Sequence, residues 1–297
     1  MEEIHYFPAK RKLALPYFSI LIPSWNNLPY LTLCINSIRK HSVVPFELIV
    51  HLNESNDGSK EWVEAQEDIA FSYSYKNVGV CHAMNAMRTL ANANYLLYLN
   101  DDMYVLAGWD AELKREIDSC GTQKFFFSST MIEPRAQSTC SIEADFGMSI
   151  ENFQEEKLND TYRQFEFQDW QGSTWPPNVV HKNLWDLVGG YSVEFSPGMY
   201  SDPDFSMKLW NQGVRLFKGL GASRVYHFGS ISVKRVKQNK GYYQFIQKWG
   251  MTSSTLSKYY LRRGLAFDEA LLEPKIPFWV HIKNAGYRVW IFLKKDQ

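Results

Sequence analysis

The chain has 297 residues, of which 45% are hydrophobic and 15% are aromatic, so it can bury one large core or a core with a smaller addition. Basic and acidic residues number 32 each, and the overall charge gives no sign of a nucleic-acid partner. From Ser232 to Gln297, however, 13 basic residues stand against 4 acidic ones, a local net charge of +9. A basic, aromatic tail on an acidic body indicates either contact with something anionic, such as a membrane surface or a lipid-linked phosphate, or a solvated basic surface.

The four cysteines, Cys34, Cys81, Cys120 and Cys140, have neither metal-ligand spacing nor the density of a disulfide framework. They predict reduced thiols in a cytosolic protein. The first twelve residues lack a continuous apolar core, so no signal peptide is expected. No stretch approaches the about 20 apolar residues that a membrane-spanning helix needs. We therefore expect a cytoplasmic protein that could lie on the inner face of the cell membrane.

Strands and helices alternate after a short lead-in over residues 1–16. Short apolar or alternating runs closed by turn residues predict strands, and apolar residues three and four apart predict helices. The predicted strands are 17–23, 46–52, 71–75 and 95–100, and the predicted helices are 31–41, 59–66 and 78–93. This alternation indicates a doubly wound α/β unit with a mostly parallel sheet.

Ligands of such sheets bind beyond the carboxyl ends of the strands, where the connecting loops meet. Polar residues follow each predicted strand of this chain: Pro23, Ser24 and Asn26, then Asn53 and Asp57, then Asn77, then Asn100 to Asp102. The pattern therefore predicts a binding site at this edge of the sheet.

Two adjacent carboxylates, Asp101 and Asp102, end the strand of residues 95–100. Like charges side by side repel each other, and burial strengthens the repulsion. A divalent cation shared with a diphosphate would remove it, since Mg²⁺ is commonly held by one or two carboxylates and phosphate oxygens. An Asx-type turn after a strand is the alternative interpretation of the pair.

The order of these pieces resembles the nucleotide-sugar half of a family-2 glycosyltransferase with the GT-A fold. Such enzymes carry P-x-x-N, D-G-S, N-x-G and a D-x-D-type motif after successive strands. The corresponding segments are PSWN at 23–26, DGS at 57–59, NVG at 77–79 and NDD at 100–102. Three later segments continue the resemblance over residues 17–230: GGYSVEF at 189–195, MYSDPDFSMKLWNQG at 199–213 and SRVYHFGS at 223–230.

The resemblance implies a GT-A, Rossmann-like sheet with a nucleotide-sugar-binding half at 17–110, an acceptor-binding and catalytic half at 111–230, and a basic, aromatic C-terminal extension at 231–297. It also implies inverting, metal-dependent transfer from a nucleotide-diphosphate sugar, expected to be a UDP-sugar, to a glycan or lipid-linked acceptor, as in surface polysaccharide synthesis. A retaining transferase on the same fold and a catalytically silent nucleotide- or carbohydrate-binding module are the alternatives.

The family pattern implies that Asp102 ligates Mn²⁺ or Mg²⁺ and that Asp101 contacts the ribose, the sugar or a metal-bound water. The remaining donor contacts would come from Pro23, Ser24, Asn26, Asn53, Asp57 and Asn77. Two departures matter. Family members usually carry an acidic residue where Leu52 and Asn53 stand, and their D-x-D begins with Asp where this chain has Asn100. In the family that acidic residue recognises the nucleobase, so its absence here leaves the nucleobase of the donor undetermined.

Asp202 has a complete local explanation as the N-cap of a helix with Pro203 at its first position and Asp204 in its first turn. In the family, the matching Asp is the general base, which implies that role for Asp202, with Asp204 as the alternative base. Ser201 stands where the family often has Glu.

Three more side chains have two interpretations each. His227 by itself could be structural, whereas the family places a His here that reaches the metal or the diphosphate. Trp170 and Trp175 could stack on an acceptor sugar or pack in the core.

The tail interleaves aromatic and basic residues, which fits an interfacial helix, a helix packed on the body or a dimer contact. Gly286 predicts that no single uninterrupted helix runs through its end.

Overall fold

The computed structural model describes residues 3–11, 14–136, 138–229 and 240–294. The strands of this part of the chain are β1 (Ile4–Phe7), β2 (Phe18–Trp25), β3 (Phe46–Asn53), β4 (Ile69–Ser74), β5 (Tyr95–Tyr98), β6 (Met103–Val105), β7 (Phe125–Glu133), β8 (Ser141–Glu143), β9 (Trp170–Gln171), β10 (Asn178–His181) and β11 (Leu216–His227). The helices are α1 (Leu28–His41), α2 (Ser59–Glu64), α3 (Gly79–Leu90), α4 (Trp109–Ser119), α5 (Glu155–Thr161), α6 (Lys182–Val188), α7 (Ser201–Asn211), α8 (Gly241–Trp249), α9 (Ser253–Thr255) and α10 (Phe278–Lys294).

The strands form one sheet in the order β1-β4-β3-β2-β5-β10-β7-β11-β6, with β8 beside β7 and β9 beside β11. Strands β4, β3, β2 and β5 are parallel to one another, and so are β8, β7 and β11. The remaining strands, β1, β6, β9 and β10, pair antiparallel. The doubly wound, mostly parallel α/β fold is therefore confirmed.

Both faces of the sheet are covered, which explains the unbroken apolar runs of its strands. In β2, Ile20 and Ile22 pack into the core on one face, whereas Leu21 packs into the core on the other. Helix α1 covers the first face with Leu31 and Ile35, residues at helical spacing.

The expected lead-in and the two expected halves share this sheet. Strand β1 extends its edge, where Phe7 stacks on Phe71 with the ring centroids 4.5 Å apart. Strand β5 of the first half pairs with β10 of the second half. Because one apolar cluster includes both Ile20 and Val225, the boundary expected near residue 110 does not divide the core.

The expected C-terminal extension divides into a packed part and an exposed helix, and its residues 231–239 lie outside the described part. Phe245, Leu256, Leu261 and Leu271 are buried in the same apolar cluster as the strands. This segment is therefore built into the body of the protein.

Helix α10 runs through Gly286 without interruption, so the expected break there is wrong. Two buried side chains, Val280 and Ile291, anchor the helix on either side of the glycine. Asn284 Oδ1 accepts a hydrogen bond from the hydroxyl of Thr255 at 3.2 Å. These contacts offset the about 1 kcal/mol that a helical glycine costs. Within the described ranges, no helix has both the length and the apolarity to cross a bilayer.

Candidate active site

The carboxyl ends of β2 and β5 meet at one edge of the sheet because the two strands are adjacent and parallel. Ser24, near the end of β2 and next to the half-buried Pro23, donates its hydroxyl to Oδ2 of Asp101 at 2.7 Å. Both Ser24 and Asp101 are buried. The topology thus brings the first loop to the acidic pair, as the sequence predicted.

Asp102 faces His227 across the end of the sheet. Asp102 precedes β6, which pairs with β11 so that Met103 lies opposite His227. This register puts Nε2 of His227 3.6 Å from Oδ1 of Asp102. On the other side of the ring, Nδ1 lies 2.8 Å from Oε1 of Glu133, the last residue of β7. Asp102, His227 and Glu133 form a row of buried ionisable groups.

The two carboxylates control the charge of the imidazole between them. Burial alone lowers the pKa of His227, but the charges and hydrogen bonds of Asp102 and Glu133 outweigh burial and raise that pKa to about 10. A positive charge between the carboxylates therefore compensates their repulsion.

The donor atoms of this row suit a divalent cation. A divalent cation bound here would replace the proton on Nε2 of His227, and Asp102 and His227 would then offer an oxygen and a nitrogen ligand on one side of the ring. Glu133 lies behind the ring, where carboxylates commonly orient metal-binding histidines. Across the described residues, no group of three or more His, Cys, Asp or Glu side chains is placed to hold an ion. A cation here would therefore need diphosphate oxygens to complete its ligands.

The loops after β2 and β3 hold each other in place. Asn26 Oδ1 accepts the backbone N–H of Asn56 at 2.6 Å, and Asp57 accepts the backbone N–H of Leu28 at 2.7 Å. Burial raises the pKa of Asp57, but hydrogen bonds from Ser59 and Leu28 outweigh it, and the pKa lies below its usual value. Asn26 and Asp57 thus build the loop pair, and their contacts with a nucleotide stay predictions.

Asn53 and Asn77 shape the next loop along the same edge. Asn53 is buried at the end of β3, and its amide oxygen accepts the N–H of Val78 at 2.9 Å. Asn77 is exposed, and its Oδ1 accepts the N–H of Gly79 at 2.8 Å, at the start of α3. Their expected contacts with base and ribose also stay predictions.

Asp202 lies in the first turn of α7. That helix begins at Ser201, and its capping residue is Tyr200 in a left-handed conformation with φ of 71°, so the expectation that Asp202 caps the helix is wrong. Oδ1 of Asp202 instead accepts the hydroxyl hydrogen of Tyr191 at 3.0 Å. Burial raises the pKa of Asp202 to about 7, against a smaller lowering by Tyr191. A carboxyl group with a pKa near neutrality is suited to general-base catalysis.

Asp204, the alternative base, points into the protein. Its side chain is 1% exposed, and Oδ1 lies 2.9 Å from Nζ of Lys248. The indole N–H of Trp249 donates to the same oxygen at 2.9 Å. These contacts hold α8 against α7 and favour a structural role, which leaves Asp202 as the proposed base.

Tyr98, the last residue of β5, connects the two acidic regions. Its pKa is raised well above the usual value, first by burial and then by the charges of Asp202, Asp102 and Asp101. The ring of Tyr98 packs edge-on against the ring of Tyr191, whose hydroxyl binds Asp202, with the ring centroids 6.1 Å apart. Asp202 therefore lies near the end of β5, the strand that leads to Asp101 and Asp102.

The two tryptophans differ in their surroundings. Trp170 is buried in β9, its indole N–H donates to Oγ1 of Thr130 at 2.9 Å, and its ring fills the space above Gly219. These contacts favour packing over the expected acceptor contact. Trp175 is half-buried, and one face of its ring is covered by the guanidinium of Arg263, 3.7 Å from the ring centroid. Trp175 alone remains a proposed acceptor contact.

A model of the family described as glycosyl transferase family 2 matches residues 19–166, which is about half of the chain and includes β2 to β7 with the acidic pair. The chain belongs to glycosyl transferase family 2. It is a glycosyltransferase.

Solved structures of S. aureus TarS share the fold of this glycosyltransferase. TarS 1-349 and its complex with UDP-GlcNAc each have a TM-score of 0.58 at 14% sequence identity, covering 93% of this chain and 72% of that one. A further TarS structure has a TM-score of 0.56 at 15% identity, covering 81% of this chain and 39% of that one. No curated protein matches the chain.

Three further residues contact the predicted ones, directly or through Tyr191, and were not predicted from the sequence: Glu133 beside His227, Tyr191 beside Asp202, and Asn85, which binds the backbone of Tyr191. Glu133 ends an apolar strand, FFFSSTMIE, which is the same signal that marked Asp101 and Asp102. The GGY segment indicated a turn but not the partner of the Tyr191 hydroxyl. Asn85 lies inside an ordinary helical pattern and gave no signal.

Proposed function

We propose that this glycosyltransferase is inverting and metal-dependent, and that it transfers a sugar from a UDP-sugar to a glycan or lipid-linked acceptor, as in surface polysaccharide synthesis. The observation that supports this is the contact between Tyr98, at the end of the strand before Asp101 and Asp102, and Tyr191, whose hydroxyl binds Asp202. TarS, which shares the fold, has been solved with UDP-GlcNAc and with UDP.

On the donor side, Asp102 and His227 would hold Mn²⁺ or Mg²⁺ together with the diphosphate. A bound cation would neutralise the charge that develops on the leaving diphosphate. Asp101, held by Ser24, would contact the ribose or the sugar. The other proposed donor contacts are Pro23, Asn26, Asn53, Asp57 and Asn77.

On the acceptor side, a hydroxyl of the acceptor would attack the anomeric carbon from the face opposite the diphosphate. The bond from the acceptor oxygen to carbon forms while the bond from carbon to the diphosphate oxygen breaks, so the anomeric configuration inverts. The hydroxyl proton would pass to Asp202. One base is enough, because a diphosphate leaves without needing a proton. Trp175 would contact the acceptor sugar.

A thermal-shift panel of UDP, GDP, CDP and dTDP, each with Mn²⁺ and with EDTA, tests the donor assignment. A ligand of the native state at a hundredfold excess over its Kd adds about 2.7 kcal/mol of stability. We expect UDP with Mn²⁺ to raise the melting temperature, and EDTA to abolish this rise. Asp102→Ala should also remove the rise, whereas Asp160→Ala, at an exposed site, should keep it. Equal responses with and without EDTA would contradict metal dependence, and no response to any nucleotide would favour a silent module.

Turnover of Asp202→Asn tests the base. We expect nucleotide binding to be nearly unchanged and turnover to fall by about 10² to 10⁴, the usual contribution of a general base. Parental turnover would contradict the assignment, and retention of the anomeric configuration would favour the retaining alternative.

We also propose that α10 contacts an anionic membrane surface, which would bring the enzyme to a lipid-linked acceptor. One face of the helix is docked on the body through Val280, Asn284 and Ile291. The other face exposes large apolar side chains, 58% to 78% accessible at four of them: Phe278, Trp279, Ile282 and Phe292. Exposed apolar surface of this extent usually marks an interaction site.

The charges around this apolar face favour an anionic bilayer as its partner. Between 274 and 294 the sequence contains Lys275, Lys283, Arg288 and Lys294 and no acidic residue. Apolar side chains flanked by cations are typical of helices that lie in the interface of anionic membranes. A second copy of the chain would bring like charges together.

Co-sedimentation of the full chain with vesicles tests this contact. We expect binding to vesicles of phosphatidylcholine with 30% phosphatidylglycerol, weaker binding at 0.5 M salt, and little binding to pure phosphatidylcholine. Ile282→Glu should abolish binding, and Leu15→Glu, which also charges an exposed leucine, should not. Absence of binding to the anionic vesicles would overturn the proposal, as would self-association that Ile282→Glu abolishes.

A further inference from the structure

Tyr191 is fixed from three sides. Asn85, on α3, accepts the backbone N–H of Tyr191 at 2.8 Å and donates to its carbonyl at 2.7 Å. The ring of Tyr191 stacks on Phe205 of α7 with the centroids 4.8 Å apart and the planes 2° apart. Trp185 of α6 packs beside it, with a centroid distance of 5.5 Å.

The glycine before Tyr191 makes the approach of Asn85 possible. Gly190 has φ of 61°, and a Cβ at this position would lie 2.3 Å from Oδ1 of Asn85. Its N–H donates to the carbonyl of Trp185 at 3.0 Å. The GGY segment therefore serves to hold the tyrosine at a set position.

The hydroxyl of Tyr191 is directed at Asp202, which lies one turn before Phe205 on the same helix. The described residues supply a hydrogen bond to Oδ1 of Asp202 but not to Oδ2. The carboxylate is thus held by one oxygen, which leaves the other for a substrate proton.

We propose that Tyr191 is the positioning residue of the base, holding the Asp202 carboxylate by Oδ1 so that Oδ2 receives the proton of the acceptor hydroxyl. This inference rests on the proposed role of Asp202. It also gives a function to Asn85 and Gly190, which hold Tyr191 in place.

The hydroxyl of Tyr191 faces Asp202, and the ring of Tyr98 packs against that of Tyr191. Burial raises the pKa of Tyr191, of Tyr98 on β5 and of Cys81 on α3, and the charge of Asp202 raises each of them further. All three are therefore neutral near pH 7, and the hydroxyl of Tyr191 is the group that stabilises the Asp202 anion. Removing it should raise the pH at which Asp202 becomes a base.

The pH dependence of UDP release from UDP-GlcNAc, with Mn²⁺ and with water in place of the acceptor, tests this on Tyr191→Phe. A hydrogen bond to a charged group corresponds to about one pH unit or more, so the acidic limb of kcat/KM should move up by about one unit. The rate at pH 6.5 should fall about tenfold, while the rate at pH 9.5 stays within about threefold of the parent. Tyr162→Phe, which removes a buried hydroxyl that donates to the carbonyl of Ala107, is the control and should leave the limb in place.

A second measurement needs no substrate. Unfolding of the parent, Tyr191→Phe, Asp202→Asn and the double variant gives the coupling between the two side chains. At pH 8.5, where Asp202 is charged, the effect of Tyr191→Phe on the unfolding constant should be about tenfold larger in the parent than in Asp202→Asn. At pH 5 this difference should be severalfold smaller. Equal coupling at both pH values, with an unmoved limb, would mean that Tyr191 only packs and would overturn the inference.

The two proposals fail in different ways. If Asp202→Asn keeps full activity, the base assignment fails and the inference with it. If Asp202→Asn is inactive while Tyr191→Phe has the parental pH profile and no pH-dependent coupling, only the role of Tyr191 is overturned.

Discussion

The carboxylate of Asp204 lies 2.9 Å from the ammonium group of Lys248, across the contact between α7 and α8. Asp204 is 1% exposed, whereas the Lys248 side chain is 30% exposed and also pairs with Glu194 at 2.8 Å. The ion pair therefore joins the C-terminal segment to the helix that carries Asp202.

Lys248→Met should destabilise the protein by about 2–4 kcal/mol, because it leaves the buried Asp204 carboxylate without its cation. Urea denaturation measures this, and Lys258→Met, which removes an exposed lysine, is the control. Equal losses in the two variants would contradict the structural role of the pair.

Asp204→Asn should also lower stability while keeping turnover within a few-fold of the parent, in contrast to Asp202→Asn.

Asp202→Asn should stabilise the protein at pH 8 and not below about pH 4. Burial raises the pKa of Asp202 from 3.8 to about 7, so the folded protein holds this proton more tightly than the unfolded chain does. Between the two values, rising pH ionises the unfolded chain first and favours unfolding, and above pH 7 the full cost is present. With about 1.4 kcal/mol per pKa unit and some solvent at the carboxylate, we expect a gain of about 1–3 kcal/mol.

Urea denaturation of Asp202→Asn and its parent at pH 4, 6 and 8 measures this gain. Asp160→Asn, at an exposed site, should show no such trend. A gain that does not grow with pH would show that the pKa of Asp202 is not raised by folding.

Much of the first half of the fold was predictable, because its pattern is local. The predicted helix at 78–93 corresponds to α3, and the strand before Asp101 corresponds to β5. Once the strands are parallel, their carboxyl ends must share an edge, and this is why Ser24 and Asp101 could be expected together.

The partners of the site residues could not be predicted, because they depend on how distant strands align. Glu133 and His227 are 94 residues apart and meet through the parallel register of β7 and β11. The N-cap expected at Asp202 was wrong because the left-handed turn at Tyr200 starts the helix two residues earlier than expected. Local capping signals carry no information on such turns.

Glu133→Gln should weaken the binding of Mn²⁺ in the presence of UDP by about tenfold to a hundredfold, the usual effect of changing the partner of a metal-binding histidine. Glutamine keeps the size of the side chain and a hydrogen bond to Nδ1 of His227 but removes the negative charge. Titration calorimetry with Mn²⁺ measures the effect. Glu143→Gln, on the neighbouring β8 and exposed, is the control, and an unchanged Kd in Glu133→Gln would show that Glu133 does not support the site.

Gly190→Ala and Gly189→Ala form a matched pair, because both glycines have positive φ, 61° and 71° respectively, but only one is crowded. A left-handed alanine costs about 1–2 kcal/mol, and this is the loss of stability we expect for Gly189→Ala, whose Cβ meets no atom within 4 Å. At Gly190 the new Cβ lies 2.3 Å from Asn85 Oδ1, so overpacking adds about 1–3 kcal/mol. Relieving this contact requires Asn85 to move, and Asn85 holds the backbone of Tyr191. Gly190→Ala should therefore lower kcat, whereas Gly189→Ala should keep it. Similar stability and kcat in the two variants would mean that the close approach of Asn85 is not what the GGY segment provides.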